Sequence, residues 1–498
     1  MPQRKQVGGM QEVFLQLKAK DLQATERTIR SIEKAGGHVL HAYPPEVVVA
    51  SLPAARVANI AKLAGVAFAS TGEVKAAVLR AASPAVAHAA RAWNDHVSVA
   101  RLEGFLASEA AGVDWDAEGR APPHPPAEIE SLIRGWEARY APEAGALLEG
   151  APAISIPVLV GRIGVGLVFV DSTRSSYAIT DAEKLKVISE TAEGLGMLAG
   201  FEPRAGIQWF YDVRCPRISL KRGDFPSARK DDWEETWRNA AMGAMGYAPS
   251  MTGMKKYIAD IKARYGAQHA FAVFVTKYPV VWFGYEWGNH LVMDFKMDGW
   301  GIDNFNLVLA HETGHVFGCP DEYASSGCDC TSLFGRYRIP NGNCQPCAER
   351  FVPCLMCQNT PAVCDFTRGH LGWNELAVQS RGTTTLKAHW TFDFDAGVAG
   401  PPGGADVWWR QVDTVTRYLV PQSGAMLAHM GMADFDAVSL QTLATQSYTA
   451  SPIGGSNKPA NKLEPGTVIA IKTGAGRYAK MKVNRHGANL GISWVTYK

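Results

Sequence analysis

The chain has almost no net charge and no long apolar run. Its 498 residues include 50 lysines and arginines against 48 aspartates and glutamates, so the formal net charge is only +2. Such an even balance gives no reason to expect nucleic acid or an anionic membrane surface as a partner. No stretch approaches the roughly eighteen apolar residues that span a bilayer, so we expect no transmembrane segment. Residues 1–10 are basic without an apolar segment behind them, so no secretory signal peptide is visible.

Cysteine is scarce outside one short stretch of the chain. Cys215 stands alone, and we expect it to be a buried, inert thiol. The other eight of the nine cysteines form a dense, even cluster, which favours a disulfide framework and an extracellular or exported protein. The alternative is a second, structural zinc site, because the cluster contains two C-x-x-C pairs. The clustered cysteines are Cys319, Cys328, Cys330, Cys344, Cys347, Cys354, Cys357 and Cys364.

Hydrophobic periodicity predicts an α+β, multidomain protein with four segments. Residues 1–74 contain elements in the order β-α-β-β-α-β, which is the order of the ferredoxin-like fold. Residues 75–150 are predicted to be a helical connector with a proline-rich linker at 121–127, where processing is expected. Residues 151–380 combine long helices with buried strands, and residues 381–498 are predicted to form an all-β accessory domain.

The N-terminal segment resembles the inhibitor-like propeptides of subtilisin-type proteases. That resemblance implies a folding aid or a guard on an active site, whereas a small interaction domain of the same fold is the alternative. The predicted elements are strand Val13–Leu17, helix Leu22–Ala35, strands His38–Tyr43 and Val47–Leu52, helix Ala54–Leu63 and strand Val66–Ala69.

Tryptophans are prominent in the C-terminal segment. They suggest that this domain binds carbohydrate, and protein is the other candidate ligand. We favour a structural role for the tryptophans, in the aromatic core of the domain. The residues are Trp390, Trp408, Trp409 and Trp494.

The chemistry of the chain concentrates in residues 311–321, His-Glu-Thr-Gly-His-Val-Phe-Gly-Cys-Pro-Asp. On a helix, His311 and His315 project from one face and can hold a zinc ion, with Glu312 beside it. Gly318 stands where a helix can end in a left-handed turn. That turn would bring Asp321 back as a third ligand from outside the helix.

This run resembles the signature of the metzincin zinc peptidases, in the snapalysin-type variant that has aspartate at the last position. The adjacent Glu322 is the alternative third ligand, although spacing favours Asp321. Metzincins also place a methionine in a tight turn beneath the zinc, and Met356 within Pro353–Asn359 fits that place. Residues 364–373 are similar to the closing helix of the catalytic domain.

The resemblance also implies a mixed sheet whose edge strand binds extended substrate above the cleft. We predict Asn289–Met293 as this strand. His290 is a candidate substrate neighbour, although a solvent-exposed edge histidine is the favoured interpretation. Earlier in the same domain, Val165–Val170 is predicted to be a central strand, and Asp181 is predicted to cap helix Ala182–Leu198.

The predicted function is therefore a secreted or exported zinc endopeptidase that acts on protein or peptide substrates, made as a zymogen if the N-terminal segment is a prodomain. Glu312 would act as general base toward a water molecule activated by Zn²⁺. A non-catalytic binding or structural protein is the alternative, and an effector active only after removal of residues 1–127 is a third. No residue pattern indicates Ca²⁺.

Overall fold

The computed structural model describes residues 9–75, 78, 83–98, 110–123, 125, 129, 156–401 and 404–498. The chain divides into two compact units. The first unit comprises Met1–Arg336 with Asn341–Cys364, and the second comprises Tyr337–Pro340 with Asp365–Lys498. A large mixed sheet and several antiparallel strands place the protein in the α+β class. None of the helices in the described ranges has the length and apolar character that a bilayer crossing requires.

The N-terminal elements follow the predicted β-α-β-β-α-β order. Their bounds agree with the prediction to within a few residues because alternating apolar residues and local caps define them. For example, the carboxylate of Asp21 accepts the backbone N–H of Ala24 at 2.8 Å and caps the first helix. The elements are β1 Met10–Leu17, α1 Leu22–Lys34, β2 His38–Tyr43, β3 Val47–Pro53, α2 Ala54–Ala61 and β4 Val66–Ser70, followed by α3 Pro84–Val97.

The middle of the chain alternates strands with long helices. Thr180, and not the predicted Asp181, caps the first of these helices, because its hydroxyl and the carboxylate of Glu183 form a reciprocal capping box. The elements are β5 Arg162–Ser172, α4 Asp181–Phe201, β6 Gln208–Arg214, β7 Arg217–Ile218, α5 Trp233–Ala244, α6 Met251–Tyr265, β8 His269–Thr276, β9 Gly284–Trp287, β10 His290–Asp294, α7 Phe305–Val316 and β11 Leu333–Phe334.

The strands of both regions form one sheet in the order β4-β1-β3-β2-β6-β5-β8-β10-β9, with β7 beside β5. Strand β2 joins the two regions by pairing in parallel with β6, where His41 lies opposite Trp209. Residues 1–74 and the strands of the predicted catalytic domain therefore share a sheet and a compact unit, although we predicted a domain boundary between them.

Strand β5 is the central strand that the sequence predicted. It pairs in parallel with β6 on one side and β8 on the other. Two glycines allow α6 to approach it closely, since a Cβ on Gly164 or Gly166 would stand 2.6–2.7 Å from the side chain of Ile261. A similar contact brings α4 against α7, because a Cβ on Gly194 would lie 2.2 Å from the carbonyl oxygen of Asn306.

The second unit contains two five-stranded antiparallel sheets in the orders β13-β22-β21-β20-β18 and β15-β14-β16-β17-β19. Trp409 and Trp494 lie in its core, as expected, whereas Trp390 and Trp408 are half-buried. Its elements are β12 Ile339–Pro340, α8 Asp365–His370, β13 Val378–Leu386, β14 Thr391–Asp393, β15 Val398–Gly400, β16 Val407–Gln411, β17 Arg417–Pro421, β18 Met426–His429, α9 Leu440–Ala444, β19 Ile453–Gly454, β20 Val468–Lys472, β21 Tyr478–Arg485 and β22 Leu490–Tyr497.

Helix α8 belongs to this second unit, although we predicted it as the closing helix of the catalytic domain. The carboxylate of Asp365 accepts hydrogen bonds from the hydroxyls of Ser439 and Thr442, which fixes the start of the helix. The observed division therefore falls at residues 364 and 365, ahead of the predicted boundary at 380 and 381.

Candidate metal centre

Helix α7 presents the two histidines of the motif and then stops. The N–H of Gly318 donates to His315 O at 2.9 Å, and the N–H of Cys319 donates to Gly314 O at 3.0 Å. This pair of bonds is the Schellman ending, which requires a left-handed residue, and Gly318 has φ +82°. The chain therefore reverses at the residue predicted, and Asp321 returns toward the helix.

Three side chains converge at this turn. The Nε2 atoms of His311 and His315 are 3.1 Å apart, and Asp321 Oδ1 lies 3.1 Å from the first and 3.3 Å from the second. Each Nδ1 faces a backbone carbonyl, Leu355 O at 3.0 Å for His311 and Cys319 O at 2.8 Å for His315. Because a carbonyl only accepts, each Nδ1 donates its N–H to the backbone, which leaves each Nε2 directed at the shared point.

This donor set fits a zinc ion. Nitrogen and oxygen ligands about 2.0–2.1 Å from a tetrahedral metal lie roughly 3.3 Å apart, close to the spacing of these three atoms. Backbone carbonyls that orient the rings are the usual outer partners of metal-binding histidines. Burial opposes protonation of His315, but the negative charge of Asp321 outweighs burial and raises the pKa of the imidazole to about 10. The site therefore favours a positive charge.

The carboxylate of Glu322 is held by other side chains. Its Oε2 accepts from Asn343 Nδ2 at 2.6 Å, and its Oε1 accepts from Cys364 Sγ at 3.1 Å. Of the two adjacent carboxylates, Asp321 is the one with an oxygen 3.1–3.3 Å from both imidazoles.

Glu312 is buried beside the histidines. Neither of its carboxylate oxygens has a hydrogen-bond partner among the described residues. Burial raises its pKa to about 8, chiefly because the charged form is removed from water. Gly284 of β9 borders the carboxylate, since a Cβ there would be 3.8 Å from Glu312 Oε1. A buried carboxylate with unused acceptor positions is suited to receive a proton from a bound molecule.

Met356 packs against helix α7 at Gly314. A Cβ on Gly314, between the two histidines, would lie 2.8 Å from the Met356 sulfur, so the thioether packs directly on the helix backbone. The same turn supplies Leu355 O to His311 and accepts the N–H of Glu322 at Met356 O, 3.0 Å away. The turn therefore braces both the helix and the chain that follows Asp321.

Trp115 is a site residue that sequence reasoning missed, because the segment was predicted to be a connector. Its indole N–H donates to Leu355 O at 2.6 Å, and its ring packs edge-on to His311 with centroids 5.4 Å apart. The backbone around it pairs with the turn that follows Met356, including a bridge between Asp114 and Gln358. A tryptophan in a segment poor in other large apolar residues was the available signal.

The edge of the described sheet is β9, which runs antiparallel to β10. The prediction that Asn289–Met293 is the edge strand is therefore wrong. The prediction of an exposed His290 is also wrong, because His290 is fully buried and its Nε2 lies 2.9 Å from Glu234 Oε1. Glu234 also bonds Arg238 and the hydroxyl of Tyr285, so the histidine belongs to a buried polar network.

Two disulfides close the segment that follows Asp321. They join Cys328 to Cys344 and Cys330 to Cys347. The clustered cysteines outside these disulfides, which are all buried, are Cys319, Cys354, Cys357 and Cys364. Cys215, expected to be buried, is exposed because it lies in the turn between β6 and β7.

Compared with known proteins, the chain matches no family model, and no curated protein or solved structure shows significant similarity to it. The likeness to zinc peptidases therefore rests on the residues of this site.

Proposed function

We propose that the chain is a zinc-dependent endopeptidase of metzincin type. The observation that carries this proposal is the convergence of His311, His315 and Asp321 on one point, with the carboxylate of Glu312 beside it under strand β9. His311 Nε2, His315 Nε2 and a carboxylate oxygen of Asp321 would hold the ion. When bound, zinc supplies Lewis-acid chemistry, polarising a carbonyl and making water more acidic.

Glu312 performs the proton transfers of the reaction. Its carboxylate accepts a proton from the attacking water and then delivers it to the leaving amine. Its buried position keeps the two oxygens unsolvated and close to the reacting atoms. Leu355 O and Cys319 O hold the imidazole rings in the tautomer that directs Nε2 inward.

Strand β9 is the substrate-binding element in this proposal. It is the terminal strand of the described sheet and borders Glu312 at Gly284. An extended peptide can pair with the backbone groups on its outer side, which is the usual way an open sheet edge binds peptide.

The remaining segments take supporting roles in the proposal. Residues 9–70 form a ferredoxin-like module that shares the catalytic sheet, and the second unit is an accessory β domain whose ligand is protein or carbohydrate. The two disulfides suit an exported protein, since such bonds persist in oxidising compartments.

The alternative is a binding protein in which the metal only holds a loop. Glu312 weighs against it, because a structural site gains nothing from a buried carboxylate that makes no hydrogen bond with the described residues.

Metal content and proteolysis measured on the same preparations test the proposal. Wild type and Glu312→Gln should both retain zinc at the histidines, but only wild type should cleave an unfolded protein substrate. Glu349→Gln is the matched control, since it makes the same change at an exposed position of the same unit. Cleavage by Glu312→Gln at the wild-type rate would refute the mechanism, and loaded wild type without cleavage would favour the binding protein.

A further inference from the structure

A second group of metal-binding side chains lies next to the turn that carries Asp321. Glu322, Cys354 and Cys364 are all buried, and one ligand atom from each lies within 4.8 Å of the others. Cys364 Sγ donates to Glu322 Oε1 at 3.1 Å, and the N–H of Cys364 donates to Cys354 Sγ at 3.3 Å. Two sulfurs and a carboxylate oxygen are thus gathered in a space without solvent.

The carboxylate of this group is held in place by its surroundings. Asn343 donates to Glu322 Oε2 at 2.6 Å, which leaves Oε1 directed at the sulfurs. The backbone of Glu322 is fixed from both sides, by Met356 O and by the N–H of Gln345. The oxygen is therefore presented by a rigid support, as metal ligands usually are.

Two further buried thiols lie in the same compact unit, those of Cys319 and Cys357. The thiol of Cys357 donates to Cys354 O at 3.1 Å, so a neighbouring thiol is present as a candidate for a fourth ligand. A structural zinc site usually has four protein ligands, most often thiolates and imidazoles, with carboxylates also used.

A cation explains this arrangement better than additional disulfides do. Disulfide sulfurs are neutral and gain little from a neighbouring carboxylate, whereas a cation is directly stabilised by a buried carboxylate. A divalent ion compensates both the carboxylate and the thiolates, and thiolate ligands select zinc over magnesium or calcium.

We propose that Glu322, Cys354 and Cys364 bind a structural zinc ion separate from the histidine centre. This ion would link the chain that follows Asp321 to the turn that contains Met356. Both segments contact the histidine centre, so the ion would fix their relative positions. The site does not rest on the peptidase proposal, because its ligands are a different set from His311, His315 and Asp321.

The test is a metal and thiol count on the full chain purified without chelator or reductant. Elemental analysis should find two zinc ions in wild type and in the control Cys215→Ser, whose cysteine is exposed, but one in Cys364→Ser. Alkylation after denaturation in chelator should label five cysteines, the number that lie outside the two disulfides.

A cobalt measurement on wild type covers the case in which Cys364→Ser fails to fold. Replacement of zinc by Co²⁺ should produce thiolate-to-cobalt charge-transfer absorption, which the histidine centre cannot give because it has no sulfur ligand. Absence of that absorption, or labelling of only one cysteine because the others form disulfides, would overturn the proposal. A single zinc ion that Cys364→Ser removes would support this site and refute the peptidase instead.

Discussion

Trp115 offers the sharpest test of how the candidate centre is built. The side chain is fully buried, its indole N–H donates to Leu355 O at 2.6 Å, and its ring packs against His311 and Trp300. Trp115→Ala removes a large buried side chain, which typically lowers the free energy of unfolding by about 3–5 kcal/mol. Trp115→Phe keeps most of the ring contacts but loses one hydrogen bond, so we expect a loss of roughly 0.5–1.5 kcal/mol.

The same two variants should differ in their effect on metal binding. Leu355 O accepts from both Trp115 and His311, so loss of the indole leaves the imidazole partner in place but less firmly held. Removing outer partners of metal ligands typically lowers affinity 10- to 100-fold. We therefore expect weaker zinc binding for Trp115→Ala and a change of about tenfold or less for Trp115→Phe.

The assays are urea unfolding followed by fluorescence and competition for zinc with a chromophoric chelator. Trp390→Ala and Trp390→Phe serve as controls, because that half-buried tryptophan belongs to the second unit. If Trp115→Ala matched wild type in both stability and zinc affinity, residues 110–123 would not support the centre.

Three further predictions follow from particular contacts. Gly314→Ala should lower the free energy of unfolding by about 1–3 kcal/mol, because the added Cβ would lie 2.8 Å from the Met356 sulfur. A thermal unfolding midpoint equal to that of wild type would contradict this packing. Burial lowers the pKa of His41 from 6.5 to about 3, so between these pH values the unfolded chain binds one proton more than the folded chain. The free energy of unfolding should therefore fall as the pH drops from 6.5 to 3, by up to about 1.4 kcal/mol per pH unit. In urea titrations across that range, His41→Asn should flatten this dependence whereas the exposed His389→Asn should not. Removal of residues 1–127 should give an unfolded or insoluble chain rather than an activated enzyme, because it removes strand β2, which pairs with β6. A soluble truncated chain with higher proteolytic activity than the full chain would refute this prediction.

Local rules account for the parts of the structure that were predictable from sequence. The spacing of His311 and His315 fixes their common face through the helical repeat, and Gly318 identifies the turn because few other residues adopt its backbone angles. The N-terminal elements were equally accessible, since their caps and apolar alternation lie within each segment. None of these inferences required knowledge of a distant part of the chain.

Long-range contacts account for the parts that were not predictable. The pairing of β2 with β6 joins residues about 170 positions apart, and Trp115 reaches Leu355 across 240 positions. His290 looked like an exposed edge residue because nothing near it in sequence indicates that its imidazole contacts the buried carboxylate of Glu234 in helix α5. In each case the partner is specified by tertiary packing, which periodicity does not encode.

Asp321 and Glu322 illustrate the same limit at the centre of the molecule. As adjacent carboxylates they were equivalent candidates by composition, and only spacing separated them. The two carboxylates have different neighbours in the structure. The imidazoles contact Asp321, whereas Asn343 and Cys364 contact Glu322. If both proposed ions bind, one short turn carries a ligand of each, and movement of either carboxylate is restrained by the other. Loss of zinc from the cysteine site should then weaken binding at the histidines, although no side chain is shared between the two sites.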